Sequence, residues 1–162
     1  MKTELQALMN DCDAELVDID SRITTMQALD TGKKYLTQYA LIRTCGTIEY
    51  VYRSIVADFF SQYGISQIDQ YLDQHIRSGS MSATYDNMKK LLKAFDDGWE
   101  RTFKSNVDAH PECMRIKSSI SSLVNNRHLF AHGKAPTATF SDIKQYYSDA
   151  KTLVQLFDQA VI

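Results

Sequence analysis

Apolar residues recur at three- and four-residue steps along almost the whole chain, the period of helices that bury one face. The stretch near the end shows it best, with Ile143, Tyr146, Tyr147, Ala150, Leu153, Val154, Phe157 and Val161 on one stripe. Ser141 reads as the N-cap of that helix, with Asp142 in its first turn. A second segment, about Lys34 to Gln62, carries Leu41, Ile48, Tyr52, Ile55 and Phe59, flanked by Cys45, Val51 and Val56, and Gly64 is its natural stop. The first segment, about Thr3 to Leu29, carries Leu5, Leu8, Met9, Cys12, Leu16, Ile19, Ile23 and Met26, and Asp30-Thr31-Gly32 reads as its end. The middle is less regular. Ser66 to Arg77 suits a short helix, Ser78 to Thr84 a loop, and Tyr85 to about Lys104 a helix that breaks near Gly98. Pro111 suits the first turn of the next helix, which runs to about His132 with Gly133 after its end. Lys134 to Phe140 reads as a loop. No alternation of period two persists, so the pattern predicts no sheet. The expected fold is one all-α domain over 1–162: two long helices, a short irregular helical middle, then two more long helices.

Composition agrees with a globular chain. Its 162 residues are one domain's worth, 44% hydrophobic and 23% charged, with only two prolines. No run approaches the roughly 20 apolar residues of a membrane span, and Met1 to Gln6 lacks a secretory core, so a cytoplasmic protein without membrane attachment is expected. Cys12, Cys45 and Cys113 are far apart and form no Cys-x-x-Cys pair, so each reads as a reduced, small buried hydrophobe. The net charge of −2 excludes a protein that holds nucleic acid by bulk charge alone. The charge is uneven, however. Residues 101–134 hold Arg101, Lys104, Arg115, Lys117, Arg127 and Lys134 against Asp108 and Glu112, a net +4, which leaves −6 on the rest. This segment is either an ordinary solvated face or a local anion site.

One residue does not fit its helix. At 100° per residue, Ile116, Ile120, Leu123, Val124 and Ala131 all lie within about 60° of Arg127. An arginine cannot shed its proton there, and burying it unpaired costs several kcal/mol or more. It pairs with a carboxylate, snorkels to water, or lines a groove where the guanidinium awaits an anion. His132 lies about 140° away on a continued helix, so convergence of the two on one phosphate needs the last turn to unwind. His128 and His132 also have the i, i+4 spacing of a zinc pair, but Leu129 stands where His-Glu-x-x-His needs glutamate. His110, Glu112 and Cys113 are the remaining candidates for a third ligand, and a metal-free site is the expectation.

The segment Ser122-Leu-Val-Asn-Asn-Arg-His-Leu-Phe-Ala-His-Gly-Lys134 resembles the signature of the HEPN superfamily, an Arg followed by four to six residues, the first polar, and then His. Arg127, polar His128 and His132 match it, Ala131-His132-Gly133 is similar to the usual ending, and the helix pattern fits over nearly the whole chain. The look is closest to stand-alone bacterial proteins of the RiboL-PSP and MAE types. The resemblance implies a metal-independent, cofactor-free endoribonuclease of toxin or phage-defence type that works as a homodimer, with an antitoxin or defence protein as a further partner. It implies that Arg127 holds the scissile phosphate and His132 moves the proton. His128, Glu49 and Asn126 would support them, and Lys134 and Asn125 would contact RNA. Glu49 either faces the motif or forms a surface pair with Arg53, four residues on. Asn125 and Asn126 are alternatively local caps. Gly133 stands where one toxin group has a modifiable tyrosine, so regulation through such a tyrosine is not expected. The same resemblance also covers a non-catalytic module that binds RNA or nucleotide, or that only dimerises. On the residues alone, a purely structural bundle with Arg127 as a core ion pair stays open.

Overall fold

The computed structural model describes residues 1–27 and 30–162. Seven α-helices occur among them: α1 (Thr3–Thr25), α2 (Thr31–Ser61), α3 (Ser66–Leu72), α4 (Tyr85–Phe95), α5 (Asp97–Ala109), α6 (Cys113–Ala131) and α7 (Phe140–Asp158). A π-helical turn, Asp73–Arg77, extends α3. Among the described residues there is no strand, and no helix is long and apolar enough to cross a membrane.

The stripes become the core. Leu5, Met9, Cys12, Leu16 and Ile19 of α1 are buried with Leu41, Cys45, Ile48, Tyr52 and Ile55 of α2 and Ile143, Tyr147, Leu153 and Phe157 of α7. α7 is the hub, packed on α6, α2, α5 and α1. The middle is more regular than its pattern suggests, because α4 and α5 bury Met88, Leu91, Leu92, Trp99 and Phe103 against the same core. Phe103 meets Phe157 edge-on with ring centres 5.5 Å apart, and Tyr52 meets the same ring at 5.8 Å. Such contacts favour a single packing arrangement beyond the area they bury.

Three helix ends differ from the expectation, each for a local reason. α1 ends at Thr25, and Leu29, its expected last residue, lies outside the described residues. Asp30-Thr31-Gly32 opens α2 instead of closing α1, because the Asp30 carboxylate accepts the Gly32 N–H at 2.7 Å as an N-cap. The cap of α7 is Thr139, not Ser141. Its hydroxyl accepts from the Asp142 N–H while the Asp142 carboxylate accepts from the Thr139 N–H, a reciprocal capping box. Those bonds hold the Asp142 carboxyl below its usual value. The break between α4 and α5 falls where expected, and Asp96 makes it by accepting from the Gly98 and Trp99 amides at 2.6 and 3.0 Å. α6 starts at Cys113, two residues after Pro111.

Candidate functional site

Arg127 projects from α6 toward α2. Its Nη2 donates to the Glu49 carboxylate at 2.7 Å and to the Ser82 hydroxyl at 3.1 Å. The pair sits at the edge of the core, with side chains 25% and 16% exposed. This is the ion-pair outcome among the three open for Arg127, yet it is not sealed. The Arg127 Nε–H is buried and has no acceptor among the described residues. Glu49 faces the motif. Arg53 does not meet its carboxylate, and instead donates from Nε to the Glu49 backbone oxygen at 2.8 Å.

Under the pair, the Cys45 thiol donates to the Leu123 carbonyl at 3.6 Å and closes the seam between α2 and α6. Burial first, and then the nearby Glu49, push that thiol up to about 12. A thiol so held is no nucleophile at neutral pH.

The last turn of α6 does not unwind. Gly133, at φ +71°, lets the Gly133 N–H reach the Phe130 oxygen at 3.0 Å and the Lys134 N–H reach the Leu129 oxygen at 2.8 Å. This pair of bonds is a Schellman closure that keeps the turn helical to its end. His132 therefore stays exposed, on a different face from Arg127, and among the described residues no hydrogen bond joins the two. His128 is exposed beside it, and the two imidazoles stack at 6.4 Å with planes 10° apart. Asn125 and Lys134 are exposed at the same end of α6.

Asn126 is elsewhere. It is buried, its amide donates to the Ser122 oxygen at 2.9 Å, and its carbonyl accepts from the Thr137 and Ala138 amides at 2.8 and 2.9 Å. It holds the loop between α6 and α7. Of the third-ligand candidates, Cys113 begins α6, with His110 and Glu112 just before it, about 28 Å from His132 by helical rise. Among the described residues no group of three or more ligand-type side chains could hold a metal ion.

About half of the +4 of residues 101–134 is offset by acids of other helices, Glu49 and Asp149, while Arg101, Lys104 and Lys134 are exposed. Lys117 meets Asp108 at 2.7 Å, Arg127 meets Glu49, and Arg115 meets Asp149 at 3.1 Å. Asp149 is the buried charge the sequence reading missed. Its carboxylate accepts from Arg115, from Ser119 at 2.7 Å and from Gln145 at 3.2 Å. Burial alone would raise its pKa, but the hydrogen bonds from Ser119, Arg115 and Gln145 outweigh it and leave the group below its usual value. The signal was present, since Asp149 is one turn from both Tyr146 and Leu153 on an apolar stripe.

A family model described as RiboL-PSP-HEPN matches residues 9–162. No curated protein and no solved structure matches the chain.

Proposed function

Because this chain belongs to the RiboL-PSP-HEPN family, we propose that it is a metal-independent endoribonuclease of toxin or phage-defence type, active as a homodimer. The observation that carries the reading is the under-satisfied arginine. Arg127 is fixed through Nη2 by Glu49 and Ser82, while its side chain stays 25% exposed and its Nη1 makes no hydrogen bond among the described residues. A planar guanidinium held that way is prepared for a second anion. Glu49 acts as its positioning residue.

In the proposed reaction the 2′-oxygen of RNA attacks the adjacent phosphorus as a base removes its proton, and the P–O5′ bond breaks as an acid protonates the leaving oxygen. The products are a 2′,3′-cyclic phosphate and a 5′-hydroxyl. His132 supplies one of these proton transfers, since imidazole titrates near neutral pH, and Arg127 balances the charge that builds on the phosphoryl oxygens. His128 stacks on His132 and orients it. Lys134 and Asn125 contact the strand at the exposed helix end.

His132 and Arg127 face apart within one protomer, so the reaction calls for the His132 of a second copy. One face of α2 suits such a contact. Tyr35, Tyr39, Ile42 and Tyr50 are exposed along it, and Gly46 lies among them with nothing within 4 Å of where a Cβ would stand. A mid-helix glycine costs about 1 kcal/mol relative to alanine, a cost that a closely approaching second helix would offset.

The outward-facing His132 also favours a second reading, a family member that binds RNA without cutting it. Incubation with RNA in EDTA, followed by end-group analysis and a mass measurement in solution, separates the two. The ribonuclease reading expects cyclic-phosphate ends from the wild type, loss of them in Arg127→Ala and His132→Ala, and dimer mass in all three. Equal cleavage by all three, or RNA bound and left intact by the wild type, sinks it.

A further inference from the structure

Beyond the motif, a cavity of about 300 Å³ opens between α2, the π-helical turn after α3 and the 78–84 loop, lined by Arg53, His75, Ile76, Gly79, Met81 and Leu91. Two connections tie it to the Arg127 site. Arg53 is bonded through Nε to the backbone of Glu49, whose carboxylate holds Arg127, and lies one turn, about 6 Å, further along α2. Met81 lines the cavity and hands its carbonyl to the Tyr52 hydroxyl at 2.9 Å, while the next residue, Ser82, accepts from Arg127.

Arg53 and His75 in this cavity pair with no acid among the described residues. Most of the other arginines are bonded to carboxylates, whereas among the described residues neither the terminal nitrogens of Arg53 nor the imidazole of His75 meets one. His75 is exposed in the π-helical turn, its ring 4.5 Å from that of Tyr71. Single-turn π segments recur at functional sites because the extra residue redirects side chains. Gly79 packs closely on that same turn, since a Cβ there would meet the His75 carbonyl oxygen at 2.8 Å. Ile76, Met81 and Leu91 supply an apolar surface beside Arg53 and His75. Two donors for an anion next to an apolar surface are what a phosphate and its base require.

From this juxtaposition we infer that Arg53 and His75 form a second nucleotide subsite, which holds the phosphate of the RNA residue next to the one at Arg127, with its base against Ile76, Met81 and Leu91. This rests on the ribonuclease reading for the identity of the strand. Arg53 and His75 bind; they take no part in bond breaking.

The test uses the full-length protein and a short 2′-O-methyl oligoribonucleotide, which has no free 2′-hydroxyl and cannot be cut. Fluorescence anisotropy gives its affinity across a salt series, 5′-AMP serves as the free-nucleotide probe, and RNA turnover is measured in parallel. Arg53→Ala and His75→Ala are each expected to weaken oligonucleotide binding by about tenfold. Arg53→Ala should also lower the slope of log Kd against log salt by about 0.7, and each variant should raise KM with kcat unchanged. His75 is exposed, so its variant tests the subsite even if Arg53→Ala disturbs the fold. Unchanged affinity in both variants would overturn the subsite, and so would failure of the wild type to bind the uncut strand. Effects confined to 5′-AMP would overturn the assignment to a strand. A wild type that binds the oligonucleotide as expected but cuts no RNA fails the ribonuclease reading alone.

Discussion

α6 carries two arginines that each reach a carboxylate on a neighbouring helix, and the two pairs are built to different standards. At its N-terminal end, Arg115 meets Asp149 through two nitrogens, and Ser119 and Gln145 fill the remaining lone pairs. The buried partner there is the acid, 4% exposed against 51% for the arginine. Near the C-terminal end the acid is again the less exposed partner, 16% against 25%, but the pairing is thinner. Glu49 receives a single nitrogen of Arg127, and among the described residues a buried donor of the arginine goes without an acceptor. A saturated network fixes structure, while an unsaturated one at the edge of the core keeps capacity for a ligand. Burial of charge alone would not have separated them. The count of unfilled donors does.

The largest expected effect comes from breaking the open pair. Under the proposed ribonuclease function, Arg127→Ala should lower RNA cleavage by about 100-fold or more, with helicity and solution mass the same as in the wild type. If Arg115→Ala cost as much activity under the same assay, the distinction between the two pairs would collapse. Next in size is the closed network. Asp149→Asn should destabilise the fold by about 2 kcal/mol in urea unfolding, since it removes a carboxylate with three donor partners, and should leave the residual chemistry of the folded fraction intact. The pH dependence follows from the depressed carboxyl. Its stabilisation is complete above the unfolded value of 3.8 and fades as pH falls through the lower folded value, so wild type and Asp149→Asn should converge only in strong acid. A difference that instead grew toward acid pH would refute that sign. The smallest effect concerns the seam beside the open pair. Native protein treated with iodoacetamide at mild alkaline pH should react first at the half-buried Cys113 and slowest at Cys45. Fast labelling of Cys45 would mean that α2 and α6 part readily there.

Much of this was legible in the sequence because burial and periodicity are coupled. The stripes of α1, α2 and α7 named the core almost residue by residue, and Arg127 stood out because it interrupted one. The same rule applied to Asp149 would have exposed the second network, but its partner Arg115 lies off the stripe of α6 and gives no such sign. Asp30-Thr31-Gly32 was ambiguous for a chemical reason, since an aspartate accepting from the amide two residues on serves a turn and a helix start equally. Thr139 could have been preferred to Ser141 by its spacing to Asp142, three residues away. The π-helical turn that presents His75 left no trace, because an extra residue in one turn is decided by packing.

The hold of Asn126 on the loop after the motif has a kinetic meaning. Thr137 and Ala138 lie in no helix, yet their amides are bonded to a buried side chain of α6. Their hydrogens can exchange with solvent only when that end of α6 opens, so these two loop amides should be protected like helix interior. Their exchange rate becomes a clock for the helix end that bears His132, readable without substrate.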